Sequence, residues 1–73
     1  MYDLSGLNKA KAWAEAEMCK AIDDLVRLAD LRDDVFNGTL PEPFATAEEL
    51  AKKREASARA ARDLAVHHLR GGQ

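Results

Sequence analysis

The chain has 73 residues, 11 basic and 13 acidic, for a net charge of −2, with 47% hydrophobic and 33% charged positions. That length holds one small domain, whose core is marginal by itself. The near-balance of charge gives no push toward nucleic acid or an anionic membrane. No apolar run approaches the roughly 20 residues of a membrane span.

The opening stretch, MYDLSGLNKAK, has neither the basic start nor the apolar middle of a secretory signal. Cys19 is the sole cysteine, so no internal disulfide forms, and an unpaired thiol fits a reducing, cytoplasmic setting. Oligomerisation is then the remaining remedy for a thin core.

Helix 1 is expected from about residue 5 to 37. Leu4, Leu7, Ala14, Met18, Ala21, Leu25, Leu28 and Val35 recur at three and four, with Ile22, Ala29 and Phe36 widening the stripe. Asn37-Gly38 is a natural stop, because both residues tolerate the left-handed conformation. Residues 38–45 form a short connection stiffened by Pro41 and Pro43, with Leu40 and Phe44 folding back over the hairpin end. LPEPF also has the form of an extended recognition segment, but a stiff connection explains it more simply.

Helix 2 is expected over about 46–70. Thr46 and Glu49 have the spacing of a capping box, and Gly71-Gly72 ends the helix. Glu48 and Glu49 in its first turn and His67, His68 and Arg70 in its last suit the helix dipole. Ala51, Ala58 and Ala65 repeat every seven residues, with Leu50, Ser57 and Leu64 beside them. Small residues at that spacing seat a neighbouring helix closely.

These features predict an all-α fold, a two-helix antiparallel hairpin spanning residues 1–73 as one domain. Each hairpin has two apolar stripes and one internal interface. Cys19, Val26, Leu28, Val35 and Leu64 are expected to stay wet in a monomer. Pairing two hairpins into a homodimeric four-helix bundle, or a higher oligomer, would cover them. The pattern is similar in architecture to Rop-like helical hairpins, whose dimers are antiparallel bundles with small residues between helices. That likeness lies in the pattern and carries no function across.

Few residues point to chemistry. His67 and His68 are adjacent and point about 100° apart, so they cannot chelate one ion from the same face. His67 faces Asp63, which makes half a metal site at most. Cys19 has Glu15 and Asp23 as helical neighbours and is expected to be a semi-buried structural thiol. No Gly-rich phosphate loop, HExxH, paired CxxC, GxSxG or EF-hand loop occurs. The expectation is a non-enzymatic chain with no metal and no cofactor.

Trp13 is the most informative side chain. It falls about 120–140° from the stripe and shares its azimuth with Leu31, with Lys20, Asp24 and Arg27 nearby. A sole Trp there is either a partner or dimer contact or a ring that covers the hairpin edge, and an aromatic anchor ringed by charge has the make-up of a binding hot spot. The first expectation is therefore an interaction module, a regulator or inhibitor that binds and occludes a partner protein through Trp13, Lys20, Asp24, Arg27 and Leu31. Phage and mobile-element regulators have this size and simplicity.

The second expectation is binding of an anionic ligand, a nucleotide or RNA, at the basic open end. Arg54, Arg59, Arg62, His67, His68 and Arg70 would carry it. Arg54 falls on the core stripe of helix 2 and is expected to be buried against Asp30 or Asp33. The acidic run Asp23, Asp24, Asp30, Asp33 and Asp34 on helix 1 is expected to be offset across the hairpin by Lys52, Lys53 and Arg54.

Overall fold

A computed structural model of the chain describes residues 3–71. Two helices, α1 (Leu4–Asp34) and α2 (Phe44–Leu69), pack side by side into a rod of 49 × 15 × 14 Å. The seam is a heptad on both helices. Leu7, Ala14, Ala21 and Leu28 are buried on α1, and Ala51, Ala58 and Ala65 on α2. A small residue every seven positions keeps one line of contact facing the partner helix along its length. The alanines let the two backbones approach but bury little surface, and among the described residues no large side chain is fully buried.

Asp3 caps α1, its carboxylate accepting the Gly6 N–H. α1 ends at Asp34, about three residues earlier than its sequence pattern suggests. Asn37 (φ 56°) and Gly38 (φ 100°) then turn the chain through the left-handed region, as their types predict. The Gly38 N–H donates to the Arg32 carbonyl at 2.8 Å and closes the turn. Leu40 folds back and is buried, and the Phe36 and Phe44 rings lie 5.2 Å apart, sealing the loop end.

Helix 2 departs from expectation at its start. It begins at Phe44 behind an N-cap at Pro43 with no side-chain cap. Thr46 lies inside the helix, its hydroxyl donating to Glu42, and the Thr46–Glu49 capping box does not form. The reason is local: the Ala45 N–H already donates to the Pro41 carbonyl and the Ala47 N–H to the Pro43 carbonyl, so the turns begin before Thr46. α2 ends at Leu69, with Gly71 left-handed behind it, and Gly72 lies outside the described residues.

Several core assignments also change. Leu4, at the first position of α1, is 66% exposed, while Val35, just past the end of α1, is 58% exposed and wet as expected. Leu28, expected to be wet, is buried on the seam. Cys19, expected to be half-buried, is exposed, since it points away from α2.

Candidate functional site

Trp13 stands on one side of the alanine seam and is 59% exposed. Two shallow grooves meet at its ring. Toward the loop end, a groove of about 290 Å³ is lined by Trp13, Glu17, Leu50, Lys53, Arg54, Ser57 and Ala58. Toward the open end, one of about 530 Å³ runs from Trp13 along Leu7, Ala10, Ala61, Leu64 and Ala65 to His68. Ala10, Ala58, Ala61 and Ser57 have short side chains, so the floor between the helices is low. Trp13, Leu50 and Leu64 rise from it, and each leaves more than half its surface in water.

Antiparallel packing produces this geometry. Residues one before the seam positions fall on the same side of the hairpin on both helices, because the two helices run in opposite senses. That brings Trp13 of α1 beside the Leu50–Ser57–Leu64 series of α2. The seven-residue repeat of Leu50 and Leu64 was visible in the sequence, but its side of the seam was not.

The charged residues expected around Trp13 are present with altered roles. Lys20, Asp24 and Arg27 are exposed along α1. Arg27 pairs with Asp23 at 3.2 Å, and Asp24 lies 3.7 Å from Arg54 across the hairpin. Leu31 is half-buried and stands about 27 Å along the helix from Trp13, at ~1.5 Å per residue. It shares the Trp13 azimuth but neither of its grooves.

Arg54 is not buried and does not meet Asp30 or Asp33. Its side chain is half exposed, with Nη2 2.9 Å from Glu17 Oε2. Glu17 and Asp24 project on the Trp13 side of α1, whereas Asp30 and Asp33 project away from it. Lys52 does not offset the aspartates of α1 either, but pairs with Glu48 and Glu49 of its own helix.

The six basic residues considered for anion binding do not form one site. Arg54 and His68 line the grooves beside Trp13. Arg59 pairs with Glu55 and points away from the open end. Arg62, His67 and Arg70 do share a groove with Lys11, but Glu15 and Asp63 line it too, and Arg62 lies 3.1 Å from Asp63. The His67 and His68 rings meet edge to face at 5.5 Å. Among the described residues no group of three or more His, Cys, Asp or Glu is placed to hold a metal ion. No described helix is long and apolar enough to cross a membrane.

No family model, curated protein or solved structure matches this sequence.

Proposed function

We propose that this protein is a non-enzymatic interaction module that binds a partner protein along the Trp13 grooves and occludes the surface it covers. The observation that carries this reading is the exposed Trp13 ring set between Leu50 and Leu64 over a floor of small residues. Binding energy concentrates in such aromatic anchors, with charge left at the rim to set orientation. Glu17, Lys20, Asp24, Arg27, Lys53 and Arg54 supply that rim. The working form is a dimer of hairpins, a four-helix assembly that adds buried apolar surface to the little that the thin alanine core supplies alone.

The test is capture of the partner from a host lysate by wild type and by Trp13→Ala, beside circular dichroism and sizing of both. Trp13→Ala should lose capture by on the order of 30-fold while keeping helicity and mass. Normal capture by the variant would place the contact elsewhere. A second reading, anion binding at the open end, draws on the shared groove of Lys11, Arg62, His67 and Arg70. It requires capture that survives Trp13→Ala, falls steeply with salt and is abolished by nuclease.

A further inference from the structure

The side of α1 opposite Trp13 has its own pattern. Ile22 lies nine residues from Trp13, two and a half turns at ~3.6 residues per turn, and so projects half a revolution away. Around the Ile22 azimuth stand Met18, Cys19, Leu25, Val26 and Ala29. None of the six is charged. Ile22 and Val26 are 45% and 55% exposed, and Cys19 is exposed as well. Past either end of this stripe the same azimuth carries Lys11 and Glu15 on one side and Asp33 on the other.

We infer that this stripe is where a second copy of the chain docks, with the two α1 helices antiparallel and the two-fold axis at Ile22. This deepens the assembly part of the proposed function and rests on it only there. In a two-fold contact each patch must fit itself. Antiparallel pairing about Ile22 sets Met18 against Val26, Cys19 against Leu25, and Lys11 against Asp33. A parallel pairing would instead stack Lys11 on Lys11 and Asp33 on Asp33. Lys11 also lies 3.8 Å from Glu15 and Asp33 3.2 Å from Arg32 on their own helix, so the cross-pairs extend existing ion pairs in the antiparallel form, whereas the parallel form adds like charges.

The Trp13 side is a poor self-contact by the same test. Glu17, Lys20, Asp24 and Arg27 occupy its middle on α1, and Arg54 already bridges Glu17 and Asp24. Burying that cluster between copies would strip water from several charges at once. On the Ile22 side, α2 contributes the exposed Lys52 and Arg59 at the rim beside the α1 contact, and the half-buried Glu55 is paired with Arg59. The stripe from Lys11 to Asp33 is about 33 Å long, two thirds of the rod. A single helix pair of that length makes an interface at the small end of specific contacts. The Trp13 grooves then face outward on both copies.

Sedimentation equilibrium and mild oxidation test this on the full chain. Wild type should sediment at twice 8.0 kDa at high micromolar concentration. Cys19→Ser/Ile22→Cys should form an intermolecular disulfide readily, and Cys19→Ser/Trp13→Cys should not. Lys11→Asp should weaken the dimer on the order of fivefold, and Lys11→Asp/Asp33→Lys should restore it, because the swap re-forms two symmetric pairs. A monomer at all concentrations, preferential cross-linking at position 13, or no restoration by the double swap would each overturn the inference. Trp13→Ala should leave the dimer intact, so a failure of partner capture and a failure of assembly read out separately.

Discussion

Arg54 Nη2 lies 2.9 Å from Glu17 Oε2, joining the two helices across the Trp13 side of the hairpin. The same guanidinium reaches Asp24 at 3.7 Å through Nη1. Arg32 makes the corresponding link near the loop end, 3.7 Å from Glu48. Half-exposed pairs of this kind orient a contact more than they hold it together. The Arg54→Ala protein should lose only about 0.5 kcal/mol in a urea titration. The deficit should largely vanish in ~1 M salt, where the Debye length is ~3 Å. An equal loss at both salt concentrations would mean that the arginine stem packs on Trp13 or Leu50 and acts through burial.

Ala58 sits on the seam at 2% exposure, opposite the buried alanines of α1. Ala58→Leu adds three carbons at a buried seam position. It should cost about 1–3 kcal/mol through overpacking or force the helices apart. Thermal melting and sizing check this, and an unchanged melting temperature would show that the seam yields.

The two helix starts should respond oppositely to cap removal. Asp3→Ala removes a carboxylate that receives the Gly6 N–H and should cost about 1 kcal/mol. Thr46→Ala removes a hydroxyl that caps nothing and should stay within ~0.5 kcal/mol of wild type. Denaturant midpoints of the two variants decide it, and the reverse order would restore Thr46 as the cap.

Gly38 has φ +100°, and a methyl group added there meets nothing within 4 Å. Gly38→Ala therefore isolates backbone strain from steric clash. A cost of about 1–2 kcal/mol in chemical denaturation is expected. No cost would mean that the turn relaxes to another conformation.

The sequence by itself determined the two helices, the turn between them and the alanine seam. Those follow from local rules: helix-favouring residues without interruption, Asn37-Gly38 where the chain must turn left-handed, and a seven-residue spacing that keeps Ala51, Ala58 and Ala65 in line. The wheel angle of Trp13 placed it off the stripe but left open whether its ring met a partner or covered the hairpin edge, and the structure leaves it 59% exposed. Only the tertiary structure decided what lies beside it. The rotation of α2 about its own axis places Leu50 and Leu64 on the Trp13 side and turns Arg54 toward Glu17 and Asp24 rather than Asp30 and Asp33. A helical wheel gives each residue's direction within one helix. The angle between two wheels is set by packing across the seam, which no single segment encodes. The start of α2 was hidden likewise, because the Pro41 and Pro43 carbonyls take up the first N–H groups and leave the Thr46 hydroxyl nothing to cap.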